Sequence, residues 1–510
     1  MIALTLAQIA DEIGVPVPAG AADVLVSSVE FDTRRIRPGA LFVALRGERV
    51  DGHDFAATAA AAGAVAVLGS APVSAPLPLL QVADRPDNAG VLDALAALAR
   101  ASVTALVREH GLQVVGVTGS SGKTSTKDLI AAVLRAVPGT GPERVIAPPE
   151  SFNNELGHPY TALRADESTA FLVLELSARG AGHIAALARV APLRIGAVLN
   201  VGSAHLGEFG SVEAIAQAKS ELVQSLPPAG AQPLTGGVAI LNADDALVAA
   251  MAELTAAEVV MVGTGAAAQV RATDVGQDDA DRARFTLVTP EGSAPVTLRV
   301  VGAHQIGNAL TAAAVGRAVG LGPQAIARAL SQAEPASRWR MEVTELANGV
   351  TLINDAYNAN PHSMKAALHS LSTIGRGRRT WAVLGEMAEL GDEATAAHDQ
   401  IGRLVVRLGV DRLLVVEGPG AATGAAVGGR TAPRALHLGA HLEGSWGGES
   451  ELVPDVDDAV AILLDELEPG DVVLVKASRS AGLERVALRL IEAVGASAGR
   501  LAGDRKDGPA

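Results

Sequence analysis

Gly119-Ser120-Ser121-Gly122-Lys123-Thr124 ends a run of apolar residues, VVGVT, and opens the segment TSTKDLIAAVLRAV. Residues of these types in this order bind phosphate. Glycines let backbone N–H groups turn toward phosphate oxygens, and the N-terminus of the following helix adds positive potential. The lysine of such a loop neutralises the β- and γ-phosphates, and the threonine hydroxyl ligates magnesium. The usual eight-residue pattern has glycine at the position of Val117, so the match is to a shorter GxxGKT variant. It predicts an ATP site.

A phosphoryl-transfer site also needs oxygen or nitrogen donors to hold magnesium near the γ-phosphate. Glu175 ends the apolar run FLVLE, and Asn200 and His205 follow RIGAVL in NVGSAHLGEFGS. Ends of parallel strands are where doubly wound sheets carry their ligands. These three residues are therefore expected to converge beside the loop. Lys219, in SVEAIAQAKSELVQSL, reads from periodicity alone as a lysine on a solvated helix face.

The elements that must position these groups follow an α/β rhythm. VVGVTG, FLVLELS, RIGAVLNVG, GVAILNADD and VVMVG are short buried runs separated by helical segments, which predicts a mostly parallel sheet covered on both faces. ARFTLVTP and APVTLRVVG predict an appended antiparallel hairpin, and a helix is expected from about Gln305 to Val319. A Pro-containing stretch around Glu334–Arg340 reads as a linker to a last third with strands GVTLIND, TWAVLGE, RLLVVEG and DVVLVKAS. Before the loop, MIALTLAQIADEIGV reads as an amphipathic helix without a basic leader. The chargeless stretch Phe55–Ala83 is broken by Gly63, Gly69, Pro72, Pro76 and Pro78, and predicts helix, strand and loop, with no membrane insertion. The expected domains are 1–108, 109–335 and 336–495, followed by a disordered tail over 496–510.

Composition narrows the function. A net charge of −15 argues against a nucleic-acid partner. The absence of cysteine removes disulfides, thiol nucleophiles and zinc–thiolate sites, and fits a cytoplasmic protein.

The phosphate loop, SFNNELGHP, LELSARGAGHI, NVGSAHLGEFGS, AKSEL, VGAHQIGNAL, DAYNANPHSM and LGEMAELG occur in this order, and with them the chain resembles the Mur ligase family over about Ser28 to Glu484. The resemblance implies the family's three-domain α/β architecture. A central phosphate-loop domain with a doubly wound, mostly parallel sheet lies between a smaller N-terminal α/β domain and a C-terminal Rossmann-like α/β domain. DAYNANP and LGEMAELG are the member-specific parts. They imply ligation of D-alanyl-D-alanine (D-Ala-D-Ala) to a UDP-N-acetylmuramoyl-tripeptide (UDP-MurNAc-tripeptide), with ATP and two Mg2+ ions, by a monomer.

Carried over by resemblance, Lys123 and Thr124 serve the phosphates and the first magnesium together with Glu175, while His205 and Lys219 serve the second. Lys219 is implied to be carbamylated, which turns a repelling ammonium into an anionic ligand. Asn308 is implied to contact adenine and Asp355 the ribose, with Arg340, or alternatively Arg338, reaching the phosphates. Thr33 and Arg34 fall in a uridine-nucleotide-binding region, and Asn153 and Asn154 line the cleft near the tripeptide. Tyr357, Asn358, Asn360, Lys476, Ser478 and Arg479 belong to third-domain segments that meet substrate. Two departures stand out: Ser177 replaces a usual glycine, and His183, expected as a packed loop histidine, replaces a usual acid. The implied chemistry is an acyl phosphate made from the tripeptide carboxylate and captured by the dipeptide amine. Another ligase of the superfamily, such as folylpolyglutamate synthase, shares the ATP site. A phosphate-loop hydrolase or switch would need no second acceptor.

Overall fold

The structure, a computed structural model, describes all residues except 48, 150, 203–205, 231–235, 419–430, 445–447 and 496–510. His205 and the tail expected to be disordered lie outside the described residues.

The central sheet has nine strands. From one edge they are Gly292–Val301, Arg282–Thr289, Val270–Gln277, Glu258–Gly263, Val238–Asn242, Ile195–Val198, Gln113–Thr118, Phe171–Glu175 and Val145–Ile146. Neighbours pair parallel from Val145–Ile146 through Val270–Gln277, and the last two strands add antiparallel. Strand Gln113–Thr118 is buried at every position after Gln113, as a β-branched run covered on both faces should be. It pairs with Ile195–Val198 on one side and Phe171–Glu175 on the other, which brings the ends of three strands together.

A four-stranded parallel sheet, Ser28–Glu30, Ala40–Val43, Ala64–Gly69 and Leu79–Gln81, precedes it. The chargeless stretch resolves as expected into helix Ala56–Ala62, strand Ala64–Gly69 and a loop. The N-terminal expectation needs correction: Leu4–Thr5 is a strand, and the helix begins only at Leu6, where Thr5 and Gln8 form a capping box.

Helix Ala89–His110 is, among the described residues, the one helix long and apolar enough to cross a membrane. Val91, Leu95, Leu98, Ala99, Val103 and Leu106 on it are buried in the protein, as in a core helix. That core is shared. It runs from Leu6, Ile9 and Leu41 through Leu98 and Leu106 to Leu172, Leu174 and Leu241, so the first sheet and one face of the central sheet bury their apolar residues together.

The third sheet orders Glu342–Glu345, Thr351–Asn354, Val472–Lys476, Thr380–Leu384, Arg412–Val416 and Ser450–Val453, parallel except for its first pair. Its two faces have separate cores. The connection around 334–340 is docked on the central domain, where Ser337 Oγ donates to Asp128 Oδ2 at 2.7 Å.

Candidate active site

The phosphate loop leaves strand Gln113–Thr118 and enters helix Lys123–Arg135 through Gly122, whose φ of +82° suits glycine. A Cβ there would also meet Asn308 Oδ1 at 2.7 Å, so the close approach of helix Gln305–Ala318 is a second reason for glycine. The loop is fixed from the neighbouring strand end. Ser120 N donates to Asn200 O at 3.1 Å, Ser121 N to Asn200 Oδ1 at 2.9 Å, and Asn200 Nδ2 returns a bond to Ser121 O at 3.2 Å. This corrects the expectation for Asn200. Its amide is spent on the loop backbone, and it positions the loop instead of offering a metal donor.

Lys123 Nζ donates to Gly119 O at 2.7 Å, folded back over its own loop. Burial lowers the pKa of this ammonium, with the Glu175 and Glu389 carboxylates opposing and Arg340 reinforcing the shift. Glu175, fully buried at the end of its strand, accepts through Oε2 from Thr124 Oγ1 at 3.1 Å and from Ser151 Oγ at 3.2 Å. Its Oε1 is buried without a partner among the described residues. A buried carboxylate oxygen left over beside a threonine hydroxyl is the hard-oxygen environment magnesium takes, with nucleotide phosphates and water completing the shell. The residues present therefore fit magnesium, held by Thr124 and Glu175. Among the described residues no group of three or more His, Cys, Asp or Glu forms a closed metal cage. Asn153 Nδ2 supports Ser151 Oγ at 3.0 Å, and Asn154 Oδ1 caps Gly157 N at 2.8 Å.

The third domain supplies the opposite wall of a cavity of about 490 Å³. Ser120, Ser121, Lys123, Thr124, Asn153, Asn154, Asn308, Arg340, Asp355, Tyr357, Asn358, Asn360, Lys476, Ser478 and Arg479 all line it. Arg340 stacks over the Tyr357 ring at 4.3 Å and, among the described residues, leaves a buried Nε unpartnered, whereas Arg338 is exposed and does not line the cavity. Asp355 accepts from Met341 N at 3.0 Å and from Lys476 Nζ at 2.5 Å, and Lys476 also bonds Asn358 O at 2.9 Å. Ser478 Oγ joins Ala388 N at 2.8 Å to Ala359 O at 3.3 Å, and Asn360 caps helix Pro361–Ile374. These bonds tie the third-domain loops to one another. Arg479 lies over Trp339 at 4.3 Å and pairs with Glu484 at 3.0 Å. Sequence reasoning missed two contributors, Ser151 and His362. His362 Nδ1 lies 3.4 Å from Ser121 Oγ across the domains, and its signal was its place directly after DAYNANP.

Comparisons with known proteins agree with this geometry. The Mur ligase middle-domain model matches residues 117–316, the Mur ligase glutamate ligase domain 339–479, and the Mur ligase family catalytic domain 25–103. The UDP-N-acetylmuramoyl-tripeptide–D-alanyl-D-alanine ligase of Mycobacterium tuberculosis is 51% identical, covering 96% of this chain and 98% of the relative. The chain belongs to the Mur ligase family. A crystal structure of MurF from Acinetobacter baumannii superposes on this Mur ligase with a TM-score of 0.78 at 28% identity, covering 96% of this chain and 99% of that one. MurF ligase from Thermotoga maritima, in complex with ADP, gives 0.72 at 26% identity over 92% and 98%.

Lys219 of this Mur ligase departs from the solvated-face reading, since it shares the buried face of its helix with Ile215, Ala218 and Leu222. It is 5% exposed on helix Val212–Gln224, and burial, with the Lys123 charge acting in the same direction, lowers its pKa to about 7. The solvated-face reading is wrong because the helix turns that position toward the phosphate-loop side. Thr33 and Arg34 lie in the short helical turn Thr33–Arg35, where Arg34 is exposed and bonded to Asp32 at 2.8 Å; neither lines the cavity. Ser177 lines the cavity within two residues of Glu175. His183 is exposed at the first position of helix Gly182-capped His183–Val190, on the cavity rim, and is not packed.

Proposed function

We infer that this Mur ligase joins D-Ala-D-Ala to UDP-MurNAc-tripeptide at the expense of ATP, giving UDP-MurNAc-pentapeptide, ADP and phosphate for peptidoglycan synthesis. The observation that carries the reading is the cavity itself, with Lys123 and Thr124 on one wall, the buried Glu175 bonded to Thr124 behind it, and Arg340 on the other. The proposed division is 1–108 for the uridine nucleotide, 109–335 for ATP and 336–495 for the dipeptide, in a cytoplasmic monomer.

A carboxylate is a poor electrophile, and its charge repels the γ-phosphate. Lys123 and Arg340 would offset that repulsion and stabilise charge on the transferred phosphoryl group. The tripeptide carboxylate oxygen attacks the γ-phosphorus, the bond to ADP breaks, and an acyl phosphate forms. The dipeptide nitrogen then attacks the acyl carbon, and phosphate leaves from the tetrahedral adduct. Magnesium, when bound, supplies further neutralisation of the phosphates. Asn308 would reach adenine and Asp355 the ribose.

Lys219 and His205 are proposed for a second magnesium, with Lys219 as the carbamate. A buried lysine with a pKa of about 7 keeps much of its amine neutral near neutral pH, and the neutral amine is the form that adds to CO2. Phosphate release measured with each substrate omitted in turn tests the reading. Release should require ATP and UDP-MurNAc-tripeptide, with full turnover only when D-Ala-D-Ala is added. Release without the UDP-tripeptide would reduce the protein to a hydrolase. Lys219→Ala should abolish turnover, with partial rescue by short added carboxylates.

A further inference from the structure

The last strand of the third-domain sheet, Ser450–Val453, and the helix before it, Thr431–Glu443, carry a histidine pair that the reaction leaves unused. His437 and His441 stand one helical turn apart, so both project from one face of that helix. Their Nε2 atoms are 3.1 Å apart, and the rings meet edge to face with centres 4.4 Å apart. His437 Nδ1 is bonded at 2.8 Å to the hydroxyl of Ser450, a buried residue that begins its strand. The third-domain loops that line the cavity follow the carboxyl ends of parallel strands, so the pair lies at the other end of the sheet.

Two imidazole nitrogens this close cannot both carry hydrogen. One Nε2 offers its lone pair to the other, and Ser450 holds the His437 ring in place from behind. Two imidazoles with converging Nε2 atoms form half of a coordination shell for a borderline divalent cation. Nitrogens bound to a tetrahedral ion at about 2.0–2.1 Å stand about 3.3–3.4 Å from each other, so the pair needs to open only slightly.

The surroundings also suit a cation. Ser450 is the kind of outer partner that fixes the ring orientation of a metal-binding histidine. His441 lies in the last turn of its helix, where carbonyl groups give a partial negative charge. Burial, with the His441 ring acting in the same direction, lowers the pKa of His437 below its ordinary 6.5 and keeps the ring in the neutral form that ligates. Both histidines are half-buried, so an ion can enter from solvent. The neighbouring charges are already balanced, Glu443 by Arg403 and Arg407 and Glu417 by Arg434. Among the described residues no third His, Asp or Glu joins the pair, which leaves the other positions of the shell to water.

We propose that His437 and His441 bind a divalent cation of the zinc class through their two Nε2 atoms. On binding, the hydrogen between the rings moves to Nδ1 of the ring that carried it, and both lone pairs face the ion. Mg2+, a hard ion that takes oxygen ligands, leaves the pair alone.

The test titrates ZnCl2 into nucleotide-free protein in excess Mg2+, followed by calorimetry, with His437→Gln, His441→Gln and Ser450→Ala beside the parent. The parent should bind one Zn2+ that Mg2+ does not displace. Each glutamine variant should weaken that binding by about 100-fold or more, and Ser450→Ala by about 10-fold. Crystals of the parent soaked in Zn2+ give a measure that needs no variant: an anomalous peak should lie about 2.0–2.1 Å from both Nε2 atoms. No peak between the rings overturns the proposal, and so does Zn2+ binding that survives both glutamine variants. The contact would then be a hydrogen bond that holds the helix end to the strand, and nothing more.

Discussion

The two walls of the cavity hold their charges in opposite ways. On the phosphate wall, bonding capacity is left over: among the described residues, Glu175 keeps a buried oxygen without a partner and Lys123 is bonded only to a carbonyl of its own loop. On the third-domain wall, Asp355 and Lys476 neutralise each other, Ser478 bridges two loops, and His398 holds Met387. The first wall is arranged to meet ligand, whereas most of the second, Arg340 apart, is arranged to hold loops in place. A polar group that reacts must keep capacity in reserve, and a group that scaffolds should have none.

Substitutions separate the walls most sharply where activity and stability diverge. Lys123→Ala should lower kcat by about 10³-fold or more while leaving the denaturation midpoint nearly unchanged, because its one bond among the described residues is to a loop carbonyl. A loss under tenfold would remove it from the phosphates. Lys476→Met should instead show its largest effect on stability. Lys476 and Asp355 side chains are 2% and 14% exposed, and breaking such a pair from one side costs about 3–5 kcal/mol by urea denaturation. Lys476→Met with Asp355→Asn together should regain part of that. Equal losses in the single and double variants would show that the pair is not the scaffold.

A smaller effect should appear with pH. Burial lowers the pKa of His398 below its ordinary 6.5, where its Nδ1–H donates to Ala394 O at 2.7 Å and its Nε2 accepts from Met387 N. As pH falls below 6.5 the unfolded chain takes up this proton before the folded one does, so His398 contributes a loss of stability on acidification. His398→Leu should flatten that part of the dependence between pH 7.5 and 5.5. An identical slope in the variant would dismiss the histidine as a pin. Smallest of all, Tyr160→Phe should cost about 1 kcal/mol, because Tyr160 OH donates to the buried Glu30 at 2.9 Å where the first domain meets the central one. Its kcat should hold, and a large fall would bring this contact into the reacting geometry.

The walls also differed in how legible they were. The phosphate wall is written almost contiguously, and strand, glycine loop, lysine and helix follow one another in 25 residues, 113–137. Glu175 was readable from its place at a strand end. Asn200 was readable as a site residue but not in its role, since which strand end lies beside Ser121 depends on sheet order. Lys219 was misread from its residue type, since its spacing from Ile215, Ala218 and Leu222 places it on the buried face of helix Val212–Gln224. The third-domain wall gathers loops from 339–341, 355–362, 385–391 and 476–480, and without the family resemblance nothing in the sequence says that they meet. The strands Glu342–Glu345 and Ser450–Val453, at the two edges of that sheet, were missed for a related reason: EVTE and SELV carry too few apolar residues to stand out.

The apolar interior that extends from Leu6 to Leu241 bears on how the protein could be taken apart. Cutting the chain near residue 110 would uncover Leu172, Leu174 and Leu176 on the central sheet and leave the shorter fragment without its floor. The third domain builds two interiors almost wholly from its own residues, with Trp381 fully inside one and Met364 inside the other, where Val301 is the one buried residue taken from the central sheet. It is the portion suited to excision and separate expression.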